Sequence, residues 1–119
     1  PISMIHTRDL HSLGQFIQEG NKIVFETFFK IHNMPSCVVN GKNLHEVNLI
    51  VEESVIDAHV QGGVPCIVVE LDDFSPRSLG ELSSFYFLVA CFSGFLFDIN
   101  PFDQPGVEVY KKEVQSRLD

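Results

Sequence analysis

Apolar residues along the chain fall into a few periodic stretches separated by glycine and proline. From Asp9 to about Asn33, Leu10, Leu13, Ile17, Val24, Phe28 and Ile31 recur at helical steps, interrupted only at Gly20-Asn21. This pattern predicts an amphipathic helix with a break, Asp9 standing as its N-cap. Met34-Pro35 should stop that helix, and Cys37-Val38-Val39 then reads as a short strand over 36 to 40, closed by an Asn40-Gly41 turn. Leu44, Val47, Ile50, Val51, Val55 and Ala58 form a second helical stripe that Gly62-Gly63 ends. The unbroken apolar run Cys66-Ile67-Val68-Val69 predicts a strand over 65 to 71, covered on both faces as in an α/β layer arrangement. Ser75-Pro76 opens a third helix running to about Ile99, and a last helix from near Pro105 carries Val107, Tyr110, Val114 and Leu118 on one stripe. The expected fold class is therefore α/β, mainly helical, with two short strands.

Inside the third helix, Phe85-Tyr86-Phe87-Leu88-Val89-Ala90-Cys91-Phe92 is apolar on every side, which calls for burial all round or for a partner subunit. The run ends at Phe97 and contains Ser93 and Gly94, short of the roughly 18 apolar residues a bilayer core asks for, so no membrane span is expected. A length of 119 residues supports one compact domain, residues 1 to 119. With 45% hydrophobic and 20% charged residues, disorder is excluded. Eleven Phe in so small a chain imply that something outside it covers part of its apolar surface. A net charge of −8 with only eight basic residues argues against a nucleic-acid partner, since phosphate binding needs clustered cations. Cys37, Cys66 and Cys91, an odd count in apolar stretches, read as buried free thiols of a reducing compartment, the cytoplasm. Pro1 stands where an initiator Met would, and no secretory apolar segment opens the chain.

Candidate chemistry is sparse. His11, beside Asp9 near a helix start, is the residue type that exchanges a proton near neutral pH, although a lone histidine there is more often a capping or surface residue. Gln104 and Lys111 stand about two turns apart on nearly one helix face, and helical side chains lean toward the N-terminus, so an amide and an ammonium could share a polyhydroxylated anionic ligand. The plain alternative for Lys111 and Lys112 is two solvated lysines. No C-x-x-C or H-x-x-x-H spacing supports a metal, and no cofactor motif is present. Gly62-Gly63-Val64-Pro65 precedes a strand and lacks a following Lys-Ser/Thr, so it is a turn and not a phosphate loop. Ser12 lacks a nucleophile elbow and reads as structural.

Three segments, taken in order, resemble one family. Ile99-Asn100-Pro101-Phe102-Asp103-Gln104-Pro105-Gly106-Val107-Glu108 with Lys111 is similar to the C-terminal signature of the glucose-6-phosphate isomerases in their bacterial form. Thr7-Arg8-Asp9-Leu10-His11-Ser12-Leu13-Gly14-Gln15-Phe16-Ile17-Gln18-Glu19-Gly20 resembles the segment of that family, in its Firmicutes-like branch, that bears a ring-opening histidine. Ala58-His59-Val60-Gln61-Gly62-Gly63-Val64-Pro65 is similar to a third. The resemblance covers most of residues 1 to 33 and 54 to 119; the middle is shorter than in the family, and Arg8 stands where the family usually has a small hydroxyl residue.

The resemblance implies an aldose-ketose isomerisation of glucose 6-phosphate and fructose 6-phosphate through an enediol, in a homodimer, on a layered sugar-isomerase (SIS-type) domain. Carried over by position, His11 is the ring-opening acid/base, Lys111 acts with it at the ring oxygen, and Gln104 contacts the sugar phosphate. The family's glutamate base and phosphate pocket precede the histidine in sequence, upstream of Pro1, so the isolated chain is expected to be inactive. Two alternatives remain: a non-catalytic module that associates through the apolar third helix, and a relative that binds sugar phosphate without turning it over.

Overall fold

The computed structural model describes residues 2–35 and 37–119. It resolves into two compact units, residues 1–75 and 76–119. In the first unit the order is α1 (His6–Asp9), a π-helical turn (Leu10–Gly14), α2 (Gln15–Glu19), β1 (Glu26–Asn33), β2 (Val38–Val39), β3 (Lys42–Asn43), α3 (Leu44–Gln61) and β4 (Cys66–Asp73). α4 (Pro76–Leu96) and α5 (Pro105–Leu118) make up the second.

One expected element is overturned. The helix anticipated from Asp9 to Asn33 ends at Glu19, and its second half is a strand. Gly20 adopts an extended conformation that ends the helix, and a Cβ there would run into the Phe16 carbonyl oxygen, so the turn out of α2 requires glycine. Beyond it, Thr27, Phe28, Phe29 and Ile31 are β-branched or aromatic and suit a pleated surface. β1 pairs in parallel with β4, Glu26 opposite Cys66 and Phe28 opposite Val68. Parallel neighbours require a crossover, and α3 supplies it, giving a βαβ unit. Asp9 is likewise not the N-cap: Ile5 holds that position, and the Asp9 carboxylate reaches back to accept from the Ile5 N–H at 2.9 Å.

The other elements follow the sequence pattern more closely. β4 and α3 lie where expected, and α3 is capped by Asn43, whose Oδ1 accepts from the His45 N–H at 3.0 Å. The strand expected over 36 to 40 is Val38–Val39, which pairs with Lys42–Asn43 as a separate antiparallel hairpin. Position 36 itself lies outside the described residues. Positive φ at both Asn40 (51°) and Gly41 (76°) is the geometry of a tight hairpin turn. α4 and α5 begin at the two prolines, as predicted. α4 is long and apolar enough, by length and composition, to cross a membrane, a property it shares with core helices of soluble proteins; the apolar run alone had pointed to a shorter segment.

Burial departs from expectation more than topology does. Among the described residues the core is only Phe28, Val55 and Val64, where β1, α3 and the turn into β4 meet. β4 is not covered on both faces: Ile67 is 51% exposed. The thiols are not buried either, because Cys37 is exposed while Cys66 and Cys91 are half-buried. Lys30 of β1 donates to Glu53 of α3 at 2.7 Å, pinning strand to helix from outside.

Candidate active site

His11 lies in the π-helical turn between α1 and α2, on the surface of the first unit, with Gly14 of the same turn buried. Wider turns of this kind are rare and concentrate at functional positions. Ser12 donates to the Asp9 carbonyl at 3.1 Å, a local helix contact consistent with a structural role. Arg8 forks onto Asp9 through Nε (2.8 Å) and Nη2 (3.0 Å), so the cation beside His11 is already engaged by a carboxylate. Those bonds, with the Ile5 N–H, hold the Asp9 carboxyl down at about 2.

Gln104 and Lys111 belong to the second unit. Gln104 is the N-cap residue of α5, and its carbonyl accepts from the Val107 N–H at 3.0 Å, but its side chain makes no capping bond. That leaves the carboxamide without a backbone duty at the positive end of the helix dipole. Lys111 leans back along the helix as predicted, and it is caught there by Glu108, donating to Oε1 at 2.7 Å. Both residues are exposed. α5 thus brings Gln104 and Lys111 onto one helix, and His11 is presented by a different unit.

Sequence reading missed a third group, buried within the first unit. Glu26 Oε2 lies 2.5 Å from His59 Nδ1, and Glu26 Oε1 lies 3.6 Å from His6 Nε2. The His6 ring stacks on Phe28 with centroids 5.0 Å apart, and its Nδ1 is buried without a partner among the described residues. Burial lowers the His6 pKa most, with Glu26 pulling it up and His59 pushing it down. Far apart in sequence, these residues meet only through the parallel pairing and its crossover helix. The one sequence signal was a glutamate heading a β-rich, aromatic segment. Among the described residues no cluster of His, Cys, Asp and Glu has the arrangement to hold a metal ion.

A family model described as phosphoglucose isomerase matches residues 2–118. Glucose-6-phosphate isomerase of Mycoplasmopsis pulmonis is 43% identical over 134 aligned positions, covering all of this chain and 31% of that protein. Its counterpart from Leptospira interrogans is 41% identical, again over the whole chain and 30% of the relative. The alignments are longer than the 119 residues, so these relatives carry residues this chain lacks. A crystal structure of a hypothetical protein from Thermus thermophilus superposes with a TM-score of 0.82 at 25% identity, over 93% of this chain and 30% of that one. The chain thus spans about a third of the length of the relatives it matches. With a family model aligned almost end to end and identities above 40% over its full extent, the chain belongs to the phosphoglucose isomerase family.

Proposed function

We propose that residues 1 to 119 are one C-terminal portion of a glucose-6-phosphate isomerase, in which His11 opens the sugar ring, Lys111 acts with it at the ring oxygen, and Gln104 contacts the substrate. The observation that carries this reading is the 43% identity to a glucose-6-phosphate isomerase over the whole chain. The local chemistry supports it. His11 is solvent-accessible in a π turn, the Gln104 carboxamide makes no capping bond at a helix N-terminus, and Lys111 is oriented toward that end.

The same reading places the chain in the cytoplasm, in glycolysis and gluconeogenesis, on a SIS-type layered domain. It makes the chain part of a homodimer in which His11 serves a site built mainly by the other subunit. Proton transfer between C1 and C2 needs a carboxylate at the carbons and an anchor for the phosphate, and the resemblance assigns both to sequence outside these 119 residues. The chain by itself is therefore inactive. Isomerisation coupled to a dehydrogenase should show no turnover with the purified chain, and robust turnover would overturn the proposal. Site roles are read in a full-length relative, where alanine in place of the residue matching His11 or Lys111 should lower kcat with little change in KM. Unchanged kcat/KM removes that residue from the chemistry.

A further inference from the structure

In the first unit a largely buried carboxylate contacts an imidazole from each of two other elements. Glu26 opens β1, and its side chain is 10% exposed. One oxygen meets His59, in the last turn of α3 and itself 3% exposed; the other faces His6, the first residue of α1. Burying a carboxylate is costly unless its oxygens are satisfied, so such a group holds its partners in place strongly.

A second tether lies on the far side of His11. Gln18 of α2 donates through Nε2 to the Ala58 carbonyl of α3 at 3.1 Å, one residue before His59. Gly62 leaves room for this bond as it stands, because a Cβ there would stand 2.9 Å from Gln18 Nε2 and the amide would have to shift. The run α1, π turn, α2 is thus held before the candidate catalytic histidine by Glu26 of β1, which also bonds His59 of α3, and after it by the bond from Gln18 to α3. Rewinding a π turn by one residue rotates the side chains that follow by about 100°. Pinning both ends prevents that rotation.

We propose that Glu26, backed by His59, is a positioning residue for His11, fixing the winding of Leu10–Gly14 and with it the direction of the imidazole. This rests on the reading of His11 as the ring-opening group. Glu26 does not touch substrate; it acts through His6 and the turn that follows.

Amide hydrogen exchange and imidazole NMR spectra of the chain test this with Glu26→Gln and His6→Phe. The first removes the charge, and the second keeps a ring on Phe28 without the contact to Glu26. Exchange across Leu10–Gly14 should quicken about tenfold in both variants, Glu26→Gln by weakening the bond to His59 and the polar contact to His6, and His6→Phe by removing the His6 contact alone. The His11 ring signals should shift and broaden, while amides of α3 from Val47 to Val55 keep their rates. Unaltered exchange at Leu10–Gly14 overturns the proposal. Equal acceleration in α3 also overturns it, since Glu26 would then be a general stabiliser. If Glu26→Gln does not fold, His6→Phe decides by the same criteria. Activity of the His11-matching alanine variant in a full-length relative reports separately: unchanged turnover there removes the catalytic reading and leaves the exchange result standing.

Discussion

Asp9, two positions before His11, accepts from three donors: Arg8 Nε, Arg8 Nη2 and the Ile5 N–H. Each favours the carboxylate, so its pKa falls from 3.8 to about 2. Because the folded value is depressed, the stabilisation is fully present above the unfolded pKa and is lost as pH falls through about 2. A carbon-detected titration of the Asp9 carboxyl should show that midpoint, and Arg8→Ala should move it back toward 3.8. An unchanged midpoint would rule out Arg8 as the cause. Glu52 has the opposite sign. Burial raises its pKa, and its Oε1 has no partner among the described residues, so its ionised form weakens the fold once pH exceeds the ordinary glutamate range. Glu52→Gln should therefore stabilise the first unit near pH 7, by less than about 1 kcal/mol after solvent screening, and should have no effect near pH 4. Denaturant midpoints at the two pH values check this.

Where a segment's own pattern and its caps agree, the elements were legible from sequence. α3, α4 and α5 begin at Asn43-Leu44, Ser75-Pro76 and Gln104-Pro105, and each start has a local chemical reason. Asn43→Ala should cost about 1 kcal/mol of stability, whereas Asn43→Gly should cost only a few tenths, since glycine also serves as an N-cap. Equal losses from both would show that the Asn43 side chain acts elsewhere. β1 was not legible for a different reason. Phe28 and Ile31 stand at helical spacing while their aromatic and β-branched side chains also suit a strand, and the choice is made by pairing with β4, about forty residues later in the chain. The site divides along the same line. His11, Gln104 and Lys111 could be singled out because each sits in a contiguous motif, while Glu26, His59 and His6 form a group only after β1 has been laid beside β4. The π turn was equally invisible, because its sequence carries ordinary helical spacing.

The whole molecule has too little interior for its apolar content. A compact body's surface grows as about the 0.73 power of its mass, so two bodies sharing 13.4 kDa would expose at most about 7,800 Å² together. The chain exposes 9621 Å². The surplus, about 1,800 Å², exceeds the roughly 800 Å² that one partner contributes to an ordinary stable interface. Much of it is apolar. α4 exposes Phe87 (72%), Phe92 (63%) and Leu96 (86%), and α5 leaves Tyr110 and Leu118 open. Surface of this kind, together with the open edges of a two-stranded sheet, drives association in water. Light scattering on the purified chain should give a mass above 13.4 kDa that grows with concentration. Replacing Phe87 and Phe92 with serine should lower it toward the monomer. Sugar phosphate should not change the mass of the isolated chain, because the anchor for the phosphate is assigned to sequence outside it. A single species at 13.4 kDa across the micromolar range would mean that these faces are closed within one chain, and the need for a partner would fall with them.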